Sequence, residues 1–229
     1  MYIAIEGVIG VGKTTLARLL QPMLQTNLLL EIFEENPFLS SFYADRQRYA
    51  FQTQIFFLLS RYHQQRRFVP TVLANQGSLI ADYTFDKDAL FAGINLQGDE
   101  LEMYYRVHEA LAEKNPQPDL IVYLRASLET LMQRIALRDR SYERNIERGY
   151  IADLNEAYEA YFGTRDQSGR APSAPVLIID TNTLNFVKNP ADLGFVEERN
   201  PHPGCTGHPG GSGSATGGYI LRQHCNRGW

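Results

Sequence analysis

The chain has 229 residues, of which 44% are hydrophobic and 21% charged, with a formal net charge of −4. This length suits one α/β domain with a real core, and the mildly acidic balance excludes a general nucleic-acid coat protein, which carries a basic surplus. No secretory leader is read in MYIAIEGVIG, no apolar run could cross a bilayer, and Cys205 and Cys225 both lie beyond residue 200. The expectation is therefore a cytoplasmic protein without a membrane or nucleic-acid partner.

The first predicted strand, Tyr2–Glu6, is continuously apolar up to its last residue, as in a parallel sheet covered on both faces. It runs into Gly7-Val8-Ile9-Gly10-Val11-Gly12-Lys13-Thr14, which matches G-x-x-x-x-G-K-[ST] in its proper place between a strand and a helix. Glycines there let backbone N–H groups curl around phosphate oxygens, and the helix N-terminus adds a positive dipole end. Lys13 is expected to reach the β- and γ-phosphates of ATP, Thr14 to hold Mg²⁺, and Thr15 to extend the loop. In the helix that follows, Leu16, Leu19, Leu20, Met23 and Leu24 share a face, with Pro22 expected to kink it or end it early.

The second strand, Leu28–Glu31, ends in an acid, with Glu34 and Glu35 just beyond. A long helix is expected from Tyr49 to about Phe68, with Gln54 and Arg61 seven apart on one face. The third strand, Ser78–Asp82, also ends in an acid, a second candidate for the metal. Helices are expected at Glu100–Lys114, Leu128–Arg138 and Ile151–Phe162, and strands at Leu120–Leu124 and Val176–Asp180, the last ending in a third candidate acid. Five such strands alternating with helices predict a doubly wound, five-stranded parallel sheet flanked by helices, over residues 1–197.

From residue 198 to 229 the composition shifts sharply, with eight of the eighteen glycines and three of the five histidines. So little apolar patterning predicts a disordered tail, and the abruptness suggests a frameshift or fusion scar. Truncation after Glu198 is expected to leave turnover and melting temperature nearly unchanged. Stoichiometric zinc by elemental analysis would instead mean that Cys205, His208, His224 and Cys225 form a site, though their spacings are weak.

A P-loop names the donor and not the reaction. No N-K-x-D guanine element is present, which argues against a GTPase switch. Ligands of open α/β sheets sit beyond the carboxyl ends of the strands, where Glu31 and Asp82 lie. A kinase acting on a hydroxyl needs one carboxylate to accept its proton and another near Mg²⁺, and these two suit those jobs. Arg134, Arg138, Arg140 and Arg144, near the end of a predicted helix, fit a lid that neutralises the transferring phosphoryl group.

Together these residues resemble the deoxynucleoside kinase family over about residues 1–197. The resemblance rests on the P-loop, Glu31 with Glu35-Asn36-Pro37-Phe38, Tyr43, Phe51-x-x-Gln54, Leu59-Ser60-Arg61, Asp88 with Phe91-Ala92, and Arg134-x-x-x-Arg138-x-Arg140-x-x-Glu143. It implies that Glu31 is the base for the 5′-hydroxyl of a deoxynucleoside, that Tyr43 and Glu143 hold the sugar 3′-hydroxyl, and that Gln54, Arg61 and Asp88 read the base. It also implies phosphate and lid roles for Arg134, Arg138 and Arg140, a donor-adenine loop after Asp180-Thr181-Asn182, and a homodimer. The Glu-Asn-Pro-Phe run resembles the bacterial purine-type members. Two departures stand out: Glu31-Ile32 replaces the family's Glu-Pro, and Asp82-Tyr83-Thr84 replaces its acidic-Arg-Ser/Thr. Lys87 is near enough in sequence to stand in for that arginine. The rival readings are a nucleoside monophosphate kinase resembling thymidylate kinase, which Tyr83 disfavours, and a P-loop module that binds ATP without transfer.

Overall fold

The computed structural model describes residues 1–163 and 171–186. The five strands are β1 (Tyr2–Glu6), β2 (Asn27–Leu29), β3 (Leu79–Ala81), β4 (Leu120–Arg125) and β5 (Val176–Asp180). All neighbours pair in parallel, in the order β2-β3-β1-β4-β5. Ile3 lies in register with Ile80, and Ile5 with Val122. The connections depart to opposite sides of β1, so the sheet opens a crevice at the carboxyl end of its central strand.

Seven α-helices lie among the described residues: α1 (Lys13–Leu24), α2 (Leu39–Ala44), α3 (Arg46–Ala74), α4 (Asp86–Asn95), α5 (Gly98–Ala112), α6 (Leu128–Arg138) and α7 (Arg148–Tyr158). Two short turns follow α6 and α7, a 3₁₀ turn at Ser141–Glu143 and a π turn at Glu159–Gly163. One large apolar cluster joins β1 and β4 to α6 and α7 through residues such as Ile5, Leu131 and Tyr158. A second, under α3, holds Tyr2, Ala4, Leu29, Val69, Val72 and Tyr83.

Several boundaries differ from expectation. β2 stops at Leu29, so Glu31 is two residues past the ladder rather than its last rung, and Asp82 is one past β3. The Asp82 N–H still donates to the carbonyl of Leu29, the last residue of β2, at 3.2 Å, while the Glu31 N–H bonds to the Asp82 side chain instead of a strand. Pro22 does not break α1, because it sits in the last turn before Gln25 closes the helix with a φ of 48°. α3 runs 29 residues, starting three earlier than expected because the Asp45 carboxylate accepts the Arg48 N–H at 3.2 Å and caps it. The two shorter helices α2 and α4 were not expected.

The predicted tail, with its four cysteines and histidines of interest, lies outside the described residues. Among the described residues, no helix is long and apolar enough to cross a membrane. No group of three or more His, Cys, Asp or Glu is placed there to hold a metal.

Candidate active site

The phosphate loop is pressed between β4 and α6. Gly7 has a φ of 146°, and a Cβ on it would lie 2.5 Å from the Leu124 carbonyl oxygen. Gly10 has a φ of 89°, and a Cβ there would lie 2.7 Å from the Ile135 side chain. Neither position tolerates a side chain, which is the local reason for the motif's first glycine and for the additional glycine at position 10. Lys13 Nζ donates to the Gly7 carbonyl at 2.5 Å and to the Val8 carbonyl at 3.3 Å. Burial, aided by the positive charge of Lys87, brings the Lys13 pKa down to about 8.

Thr14 Oγ1 donates to Asp82 Oδ2 at 2.5 Å, and Asp82 Oδ1 accepts the Glu31 N–H at 2.8 Å. One carboxylate thus joins the phosphate loop to the loop bearing Glu31. The Glu31 side chain is shared between two cations. Arg61 donates to Oε1 through both Nε, at 3.2 Å, and Nη2. Lys87 Nζ donates to Oε2 at 2.6 Å. Burial opposes ionisation of Glu31, but Arg61 and Lys87 override it and hold the carboxyl well below the usual range. Arg61 also pairs with Asp88 through Nη1, and its guanidinium sits 4.5 Å over the Phe57 ring.

A cavity of about 280 Å³ opens above this cluster. Lys13, Thr14, Thr15, Glu31, Tyr43, Gln54, Arg61, Asp82, Arg138, Arg140 and Glu143, all singled out from sequence, line it together. So does Lys87. Asp88 does not. It is wholly buried behind Arg61, where burial raises its pKa, and its second oxygen has no protein partner. Asp180 is apart from the cavity and accepts from Asn182 N and Nδ2, each at 2.9 Å.

The outer wall comes from the turn after α6. Arg138 donates to Glu143 at 2.5 Å, and Arg140 lies 3.7 Å from the same carboxylate. Arg140 also covers the Phe33 ring at 4.1 Å. Tyr142 stacks on Tyr43 with ring centres 6.0 Å apart and lies 6.1 Å from Phe33. Tyr142, Phe33 and Phe57 were not singled out from sequence. The only signal for Tyr142 was an aromatic set inside an arginine cluster.

Arg134 does not line the main cavity. It donates to the carbonyls of Val11 (3.0 Å), Thr181 (2.6 Å) and Leu184 (3.1 Å), and to Thr181 Oγ1 at 3.0 Å. It thereby ties the phosphate loop to the segment after β5. A second cavity of about 330 Å³ lies there, lined by Gly10, Gly12, Thr15, Arg134, Leu184 and Phe186 among others. Tyr83 is fully buried and faces the cluster under α3, away from the main cavity.

A phosphate loop at the head of α1, facing carboxylates and a ring of cations over a nucleoside-sized cavity, defines a P-loop phosphotransferase. The deoxynucleoside kinase family profile matches residues 3–199. The deoxyguanosine kinase of Bacillus subtilis (strain 168) is 37% identical over 192 residues, covering 84% of this chain and 92% of that one. The deoxyadenosine/deoxycytidine kinase of the same organism is 32% identical over 165 residues, covering 69% and 74%. A solved deoxyadenosine kinase from M. mycoides with bound dATP superimposes with a TM-score of 0.74 at 26% identity, covering 87% of this chain and 98% of that one. The chain belongs to the deoxynucleoside kinase family, and its reaction is phosphorylation of a deoxynucleoside.

Proposed function

We propose that the protein transfers the γ-phosphoryl group of ATP to the 5′-hydroxyl of a purine deoxynucleoside. The observation that carries this reading is Glu31, ionised between Arg61 and Lys87, within one hydrogen-bonded chain of Asp82 and Thr14 at the phosphate loop. The acceptor hydroxyl approaches Glu31 from the cavity, and its proton passes to the carboxylate as the phosphoryl group arrives. Lys13 leaves its own loop carbonyls to meet the donor phosphates. Arg138 and Arg140 close on the same phosphates, and the cavity beside Leu184 and Phe186 takes the donor adenine.

Gln54 can offer both a donor and an acceptor to a base edge. Asp88 fixes Arg61 so that its remaining N–H groups point consistently. Tyr43 and Glu143 lie together at the far wall, suited to a sugar hydroxyl. Lys87 supplies the cation that the family places after the acidic residue. Thr14 and Asp82 are hard oxygen donors at the phosphate end, and so fit Mg²⁺ brought in with ATP. Bound there, Mg²⁺ would neutralise phosphate charge. The purine preference is supported by the Glu35-Asn36-Pro37-Phe38 run and by the relatives named deoxyguanosine kinase or deoxyadenosine kinase. We further read the protein as a cytoplasmic homodimer, with the exposed Met103 of α5 among the surfaces available for pairing.

A coupled assay with Mg-ATP and each of the four deoxynucleosides tests this. Product phosphorylated at the 5′ position is expected, with deoxyguanosine or deoxyadenosine giving the highest kcat/KM. Turnover of monophosphates alone would overturn the reading.

A further inference from the structure

The peptide unit joining Leu30 to Glu31 lies just past the end of β2, where the sheet ladder no longer holds it. Both of its polar groups are nevertheless held. The Glu31 N–H donates to Asp82 at 2.8 Å, and the Leu30 carbonyl accepts from Gln64 Nε2 of α3 at 2.8 Å. Gln64 is steadied in turn, because the Tyr83 hydroxyl donates to its Oε1 at 2.5 Å. Tyr83 has no solvent exposure and is packed among Tyr2, Leu29, Val69 and Ala81. Burial pushes its hydroxyl pKa far above the ordinary value, so it stays a donor at any working pH.

We propose that Tyr83 and Gln64 are positioning residues that hold the Leu30–Glu31 peptide plane and so aim the Glu31 carboxylate at the acceptor hydroxyl. A peptide unit is planar, so fixing its N–H from Asp82, just past β3, and its C=O from α3 leaves it little freedom to rotate. The direction in which the Glu31 side chain departs is then set by the backbone as well as by Arg61 and Lys87. Without the Tyr83 hydroxyl, Gln64 loses the donor that orients its amide, and its grip on the Leu30 carbonyl loosens. A small misplacement of a reacting group can cost up to about 10²-fold in rate. The chain thus uses the residue after Asp82 to support the base from beneath, while Lys87 reaches it from the cavity side.

The inference rests on the reading of Glu31 as the base, and the test separates the two. Tyr83→Phe removes one oxygen and keeps the packing. It should lower kcat about tenfold with KM for ATP unchanged and the melting temperature lowered by no more than about 2–4 °C. Gln64→Leu should do the same, and it carries the test if Tyr83→Phe folds poorly. In a Glu31→Gln background, Tyr83→Phe should lower kcat no further, since its effect runs through Glu31. An equal tenfold loss in that background would mean a general structural role and overturn the proposal. Wild-type kcat in Tyr83→Phe and Gln64→Leu, with Glu31→Gln impaired, would overturn this proposal alone. Wild-type turnover in Glu31→Gln would overturn both readings.

Discussion

Glu31→Gln is expected to lower kcat by about 10²–10⁴-fold, the usual range for general-base catalysis, while ATP affinity stays largely intact. Glutamine keeps the shape of the side chain and removes its capacity to accept a proton. It also leaves Arg61 and Lys87 facing a neutral group where they now share a carboxylate. A carboxyl held ionised this firmly is a weak base, which suits phosphoryl transfer. In a loose transition state the attacking hydroxyl is acidified late, so the base chiefly has to be charged and correctly placed. The depressed pKa keeps Glu31 ionised as the pH falls below the ordinary carboxylate range, so an acid limb in kcat/KM near neutrality would belong to another group. Glu34 and Glu35, both exposed on the loop beyond, serve as controls. Loss of turnover in Glu34→Gln or Glu35→Gln with Glu31→Gln still active would move the base elsewhere in the loop.

Lys13→Ala should cost on the order of 10²–10³-fold in kcat, since it removes a preorganised cation from the place where phosphate charge is borne. Steady-state kinetics with saturating deoxynucleoside would detect this, and near-normal turnover would mean that the loop does not hold the donor. The same lysine predicts a pH effect. Its pKa of about 8 in the free protein means that it loses its proton above that pH, and bound phosphate should raise the value. Donor binding then takes up a proton, so KM for ATP should rise as the pH climbs from about 8 towards 10. A KM for ATP that stayed flat across that range would contradict this.

Much of the site could be read along the chain because its pieces are local. The phosphate loop is one contiguous run, and β1 and β5 have the bounds that their apolar patterns imply. Gln54 and Arg61 come from a spacing on one helix and Glu31 from an acid at the end of an apolar run, whereas Tyr43 and Glu143 come only from the family resemblance. What escaped depends on contacts across the sheet. The apolar pattern draws β2 too long because the Leu30 carbonyl and the Glu31 N–H bond to the Gln64 and Asp82 side chains rather than to a neighbouring strand. α4 was missed because Asp86-Lys87-Asp88 breaks the apolar period that would announce a helix. The inward turn of Tyr83 and the engagement of Arg134 by Val11, Thr181 and Leu184 follow only from which elements pack together.

The way Glu31 is shared has a stereochemical consequence. Each carboxylate oxygen offers about two lone-pair directions. On Oε1 one side is taken by Arg61, whose Nε and Nη2 both donate to it. On Oε2 one is taken by Lys87 and the other is open. The proposed base is therefore directional in a way that glutamate in water is not, because a proton can reach it only along the sides that Arg61 and Lys87 leave open. With Glu31 as the base, a hydroxyl presented along the Arg61 or Lys87 contacts would meet an oxygen already engaged, so the two cations that hold the charge would also limit which hydroxyl can react.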